Sequence, residues 1–467
     1  MEEPNVLQYV MKIGKRLVSF RFAFLFSLFA CLLFASLPAT AQTPPAAPPK
    51  VDTGDTAWML VSAAFVMLMT PGLAFFYGGM VRAKNVLNML MQSFVALGVV
   101  TLVWVLWGYS LAFSPGGPLI GGLHWFGLNG VGQEPNADYA ATIPHQVYMV
   151  YQMMFAVITP ALISGAIAER MKFSTYVVFM ALWATLVYCP LAHWVWGHDG
   201  WLLKLGALDF AGGTVVHISS GVSALVVAIL LGKRNLGVAG EEDLRPHNLT
   251  MTLVGTALLW FGWFGFNAGS AVASGGLAGS AFIATHIAAA VAGLVWTLIE
   301  WKVYKKPSAL GFATGAVAGL VAITPASGFV GPLAAIGIGA GVSVISFFAI
   351  KLKHKFHYDD TLDVFGVHGV GGMFGAICTG LFASVAINPA GANGLFFGGG
   401  VTLLGKQLVA IGASAGYAAI VTFILIKVLG AVMGLRVESD EEEAGLDLTQ
   451  HGESAYSNIE IGSSMTE

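Results

Sequence analysis

The sequence predicts an all-α, polytopic membrane protein of eleven transmembrane helices. Three observations carry that reading. Only 10% of the 467 residues are charged and 56% are hydrophobic, whereas soluble globular chains carry about 25% charged residues. The mean hydropathy of the chain is +0.76. Apolar stretches long enough to cross a bilayer recur from residue 55 onward with short breaks between them.

The N-terminus follows a different pattern. Lys12, Lys15, Arg16 and Arg21 precede an apolar run from Phe22 to Leu37, then Ala39-Thr40-Ala41, then a Pro-rich stretch ending at Lys50. This is the grammar of a signal peptide over residues 1–41. An uncleaved extra helix is the competing reading, but the run is shorter than the roughly 20 residues a span needs. Residues 42–54 then form an external segment, 55–435 the membrane domain, and 436–467 a cytoplasmic tail. The tail's acidic cluster, Glu438 to Glu443, reads as mobile.

Spans are expected near 55–78, 86–113, 145–168, 174–198, 210–232, 249–271, 277–300, 308–326, 329–350, 363–387 and 402–433. Each is expected to be long enough to cross a hydrocarbon core about 30 Å thick. Charge tests the count. With the N-terminus outside, the inner loops hold Arg82, Lys84, Arg170, Lys172, Lys233, Arg234, Arg245, Lys302, Lys305, Lys306, Lys351, Lys353 and Lys355, and the outer loops hold Lys204 alone. That is a strong positive-inside bias. It places the chain in an inner membrane with its C-terminus cytoplasmic. A net charge of −3 offers nothing to nucleic acid. Cys31, Cys189 and Cys378 make no CxxC pair, so neither a zinc site nor a disulfide framework is suggested, and no cofactor or metal is expected.

Ionisable groups inside spans are costly and mark function. His217 lies in the fifth span and His368 in the tenth. One span is entered from outside and the other from inside, so both histidines approach the midplane. Five is odd, so a five-helix repeat is inverted across the membrane, and transporters place sites at such interfaces. A neutral imidazole donates from one nitrogen and accepts at the other, so a pair can pass a proton. The bland reading, two unrelated histidines bonded to helix carbonyls, loses force because their depths match. Gly311, Gly315 and Gly319 at four-residue spacing signal close packing in the eighth span. Phe155, Gln152, Trp196, Trp263, Phe264, Phe266, Asn267 and Ser270 cluster toward outer span ends. Singly these aromatics read as interfacial anchors; together they could cage a small cation. Asp209 and Asp363 are expected to cap their helices, with Asp209 also shaping the outer site, and Glu169 to pair with Arg170.

At these residues the sequence resembles the ammonium transporter family (Amt/Mep/Rh), and within it the bacterial Amt channels. The matching runs are 71–79, 165–170, 209–217, 262–270, 323–326, 363–369 and, in the tail, 445–448 and 451–453. The resemblance covers about residues 55 to 456. It implies an inverted five-plus-five repeat with a last helix, a pore in each subunit, and a homotrimer in the lipid bilayer. It implies a recruitment site for ammonium at Trp196, Ser270 and Phe155 with Gln152 nearby, a phenylalanine gate of Phe155 and Phe266, and a twin-histidine pair, His217 and His368. Asp209, Trp263, Asn267 and Asp363 support these. The resemblance also implies a PII signalling protein as a partner at the cytoplasmic face. Two positions depart from the family: Tyr151 stands where Phe is common, and Thr314 where Ser is common. The expected function is an ammonium channel or transporter, not an enzyme. It takes NH4+ at the outer face, deprotonates it and conducts NH3, with a separate route for the proton. An ammonium sensor is the main alternative. An intramembrane hydrolase would need a nucleophile or metal set beside the histidines, and the sequence offers none.

Overall fold

The computed structural model describes residues 50–235 and 244–456. The expected signal peptide, most of the external segment and the tail from 457 lie outside the described residues. Among the described residues eleven long apolar helices follow one another: α1 (Thr53–Met80), α2 (Ala83–Phe113), α3 (His145–Ile167), α4 (173–196), α5 (Gly213–Leu231), α6 (Leu249–Ala268), α7 (Gly276–Tyr304), α8 (Ala309–Ile323), α9 (Pro332–Phe356), α10 (Phe365–Phe382) and α11 (Thr402–Met433). The chain is therefore a multi-pass α-helical membrane protein. Its outer flanks expose Leu60, Leu253, Phe261, Ile283, Leu294 and Phe348, as a surface facing lipid must. A hairpin of β1 (Pro135–Asn136) and β2 (Ala140–Pro144) folds the long loop between α2 and α3.

Ten of these helices are long enough to cross a membrane; α8 is not. The sequence predicted 308–326 there. With 15 residues α8 spans about 22 Å, short of the ~30 Å core. Ser308 caps its start by accepting from Gly311 N at 2.8 Å. Pro325, with no N–H to donate, helps end it. The chain runs on through Thr324 to Phe329 as buried turns whose amides find carbonyls, Ala326 N to Ile323 O at 2.9 Å and Phe329 N to Ala326 O at 2.7 Å. Irregular backbone at membrane depth is tolerated where protein covers it. As the glycine spacing predicted, α8 packs closely on α7: a Cβ at Gly319 would lie 2.5 Å from the Ala288 carbonyl oxygen.

The centre of the bundle is the crossing of α5 and α10. A Cβ at Gly221 would lie 2.5 Å from the Gly369 Cα, so only a bare backbone allows the helices to meet. Both helices open with a wider, π-type turn, Gly213–Ile218 and Phe365–Gly369, and each turn carries a histidine. Such turns recur at functional sites. Each is preceded by a capping aspartate. Asp209 accepts from the amides of Gly212, Gly213 and Thr214 at 2.6–2.8 Å and from the Thr214 hydroxyl. The chain enters this cap through Gly212 at φ 110°, a conformation suited to glycine. At α10 the cap is Asp360 and not Asp363 as expected. Asp360 accepts from Val364 N at 3.0 Å and Phe365 N at 2.8 Å. Asp363 lies at φ 61°, and its carboxylate takes the ammonium of Lys353 on α9.

The end of the bundle that carries the Arg82 and Arg234 loops holds two further corrections. Glu169 does not pair with Arg170. It binds Arg82 at 2.9 Å and Arg234 at 3.4 Å. Arg170 donates to the carbonyls of Gly232, Ala168, Ala166 and Asp359 and to the Thr361 hydroxyl. The acidic tail is folded against the bundle. Its helix Ser439–Ala444 places Glu442 on Arg436 at 2.7 Å and on the Asn235 amide at 2.5 Å. Asp447 accepts from Asn88 N at 2.8 Å, and Leu446 N donates to Asn85 at 2.8 Å. Sequence composition flags acidic runs as solvated; Glu438, Asp440 and Glu443 are exposed, while Glu442 is buried against Arg436 and the Asn235 amide.

Candidate functional site

Three cavities line up through the bundle. The first, a vestibule of about 250 Å³, lies between the ends of α3, α4 and α6 and is lined by Gln152, Phe155, Trp196 and Ser270, with Asp138 and Tyr148. All four expected recruitment residues meet there. Trp196 is held by its Nε1 donating to the Asp209 carbonyl at 3.0 Å. Ser270 donates to the Phe266 carbonyl at 2.9 Å and shares a 3.1 Å bond with the Tyr151 hydroxyl. The Gln152 side-chain oxygen is buried without a hydrogen-bond partner among the described residues, an unsatisfied acceptor on a residue that lines the vestibule.

Below the vestibule the rings form a column. Phe155 meets Trp196 edge-on with centroids 6.0 Å apart and stacks on Phe266 at 4.1 Å. Both phenylalanines are at most 1% exposed. Phe266 in turn lies 6.1 Å from the His217 ring. His217 Nδ1 and His368 Nδ1 are 3.2 Å apart, so one ring donates and the other accepts. His217 Nε2 is buried with no hydrogen-bond partner among the described residues. The cavity around the pair, about 10 Å³, is lined by Leu73, Ile158, Val216, Leu259 and Val317 beside the aromatics. That volume admits about one water-sized molecule. A third cavity of about 50 Å³ lies beyond His368, among Phe76, Tyr77, Thr314, Val367 and Asp363.

Not every candidate lines the outer cage. Trp263 stacks on His217 at 5.5 Å and donates to Thr324 at 2.9 Å, so it walls the histidine level. Asn267 bonds Thr285 at 3.0 Å and Thr324 at 3.3 Å, bracing α6 against α7 and α8. Phe264 stacks on Phe282 at 3.9 Å. Asp209 shapes the vestibule through its carbonyl bond to Trp196. Sequence reasoning missed the bracing role of Tyr151 and the cap at Asp360. Tyr151 ties α3 to the Gly265 and Phe266 carbonyls at 2.9 and 2.7 Å, fixing Phe155 opposite Phe266. Among the described residues no group of three His, Cys, Asp or Glu side chains is arranged to hold a metal.

Fold and site together define an α-helical membrane protein with a narrow aromatic and histidine-lined passage inside a single chain. The chain belongs to the ammonium transporter family: the model of the Ammonium Transporter Family matches residues 57–456. An ammonium transporter of Bacillus subtilis is 56% identical over 407 residues, covering 87% of this chain and 99% of that one. Ammonium transporter Amt1 of Archaeoglobus fulgidus is 49% identical, covering 87% and 100%. Among solved structures, Mep2 of Saccharomyces cerevisiae superposes with TM-score 0.79 at 38% identity, covering 88% of this chain and 93% of that chain. A sensor Amt protein superposes with TM-score 0.78 at 29% identity, covering 85% and 98%.

Proposed function

We propose that the protein transports ammonium inward, taking NH4+ at the outer vestibule and passing NH3 through the histidine slot. One observation carries this: two hydrogen-bonded imidazoles lie in an apolar cavity with room for about one small molecule. Bringing an ion into such a medium costs on the order of 20 kcal/mol in the Born limit. An aromatic cage returns about 0.5–2 kcal/mol. Trp196 and Phe155 therefore recruit the cation, with Ser270 and Gln152 accepting its hydrogen bonds, and the proton is left near the cage. The Phe155–Phe266 stack is the gate that the neutral molecule must part. The proton returns through the His217–His368 pair or through water, so charge moves with each cycle. Asp209, Trp263 and Asn267 hold these groups in place. The His217→Ala variant tests the relay: loss of the ammonium-evoked current or of discrimination against potassium is expected, and wild-type values for both refute the relay.

The same reading sets the surroundings. Residues 1–41 are removed as a signal peptide, the mature N-terminus lies outside, and the tail lies in the cytoplasm. Protein chemistry of the mature N-terminus, starting at Gln42, checks the first point. The subunits assemble as a homotrimer in the bilayer, and a PII signalling protein docks on the inner face, where the folded tail offers a surface. A sensory role is the second reading, favoured by the likeness to a sensor Amt protein; a protein that binds ammonium without flux would support it.

A further inference from the structure

We infer that Asp360 is a positioning residue for His368, and that proton uptake by its carboxylate from the inner side displaces His368 from His217. The inference rests on the transport reading above for its effect on flux, but not for its effect on the backbone.

The two halves of the molecule use one device. Asp209 stands eight residues before His217, and Asp360 eight residues before His368. Each aspartate holds the amides that start a π-type turn, and each turn carries the histidine. The caps differ in their surroundings. Asp209 accepts four short hydrogen bonds, three of them from backbone amides. Asp360 accepts two, one on each oxygen. It is 1% exposed. The groups that face it are Asp363 in its own loop, Lys353 on α9, Tyr77 on α1, Arg170 in the α3–α4 loop, and Tyr358. Lys353 divides its ammonium between the Asp363 carboxylate and the Asp360 backbone carbonyl. Burial, followed by the Asp363 charge, pushes the Asp360 carboxyl up to about 6, against the pull of Lys353 and the two amides. The inner cap thus changes charge in the range of cytoplasmic acidification.

The geometry converts that charge change into a displacement. A carboxylate offers both oxygens as acceptors; a carboxylic acid carries a proton on one of them. The turn then keeps one strong cap bond in place of two. The histidine pair tolerates little movement: its 3.2 Å bond is lost once the rings separate by roughly 0.4 Å more. His368 lies only three residues beyond Phe365, whose amide is one of the two capped groups.

The test uses the full chain in liposomes at fixed outer pH and ammonium gradient, with inner pH stepped from 7.5 to 5 in roughly half-unit steps across the Asp360 range. The wild-type ammonium-evoked rate is expected to fall as inner pH drops through about 6. Asp360→Asn is expected to be slow throughout, by roughly tenfold, with no midpoint near 6. Asp363→Asn, which removes the neighbouring charge, is expected to move the midpoint to lower pH. A second measurement needs no transport: hydrogen exchange of amides 364–369, corrected for intrinsic pH dependence and referenced to amides 213–218. The inner turn is expected to lose protection relative to the outer turn below pH 6, and in Asp360→Asn to show the lowered protection at every pH. An unchanged midpoint in Asp363→Asn, or inner and outer turns that keep the same relative protection across pH 6, overturns the inference. Absence of any wild-type flux would instead refute the transport reading, and the exchange measurement would still decide the role of Asp360.

Discussion

Gly221→Ala tests whether the α5–α10 crossing sets the histidine geometry. A Cβ at 221 would lie 2.5 Å from the Gly369 Cα and 2.9 Å from the His368 carbonyl carbon. Ordinary carbon contacts are about 3.5–4.0 Å. The helices must therefore part by about 1 Å, since both contact partners are backbone and no side chain can swing aside. The histidine nitrogens, now 3.2 Å apart, would separate to about 4 Å, beyond hydrogen-bond range. Overpacking of this kind costs about 1–3 kcal/mol in stability. A 1 Å error in a reacting geometry costs up to about a hundredfold in rate. Stopped-flow recording of internal pH in proteoliposomes gives the flux, and circular dichroism melting gives the stability. Gly98→Ala is the control: nothing lies within 4 Å of its added carbon, and Ala in a helix interior gains roughly 0.5–1 kcal/mol over Gly. The reasoning is refuted if Gly221→Ala transports at the wild-type rate with an unchanged melting temperature.

Three further outcomes follow from the ion pairs around Glu169, Asp359 and Glu442. Glu169→Gln leaves Arg82 and Arg234 without the carboxylate they share, so thermal unfolding should show a loss of about 3–5 kcal/mol; a loss below 1 kcal/mol would show that the guanidiniums find other partners. Asp359 is pulled up by burial but held down to about 2 by the hydrogen bonds and charge of Arg234 and the charge of Arg170. Its folded value is thus below its unfolded one, so its contribution of about 2 kcal/mol is complete above pH ~4 and is lost as pH falls through about 2. Acid titration of detergent-solubilised protein should show that decline, and Asp359→Asn should lack it. Glu442→Ala removes the acceptor of Arg436 and of the Asn235 amide; limited proteolysis after residue 436 should speed up roughly tenfold, whereas unchanged cleavage would mean that Asp447 and Asn88 suffice to hold the tail.

The sequence carried the span order and the meeting of His217 and His368, because charge bias and hydropathy fix alternation, and alternation fixes which helices run antiparallel. It placed the eighth span at 308–326 without its local form, because a window of apolar residues does not register that Pro325 ends the helix at Ile323 while the next turns stay buried. The cap of α10 was misread for a related reason. The run from Tyr358 to Asp363 offers three aspartates, and a helix start is ambiguous by a turn. The equal eight-residue spacing from Asp209 to His217 and from Asp360 to His368 was the available signal. Tyr151, Trp263 and Asn267 fell close to their sites, but their partners lie on other helices, and no local pattern names those. The Glu169 pairing failed likewise: adjacency suggested Arg170, while the loops deliver Arg82 and Arg234.

The most direct measurement is the current from protein in liposomes after a rapid ammonium pulse, against a matched potassium pulse. A histidine slot that excludes the intact ion while returning its proton predicts a transient with ammonium and none with potassium. Equal currents for the two ions, or no current with ammonium, would contradict it.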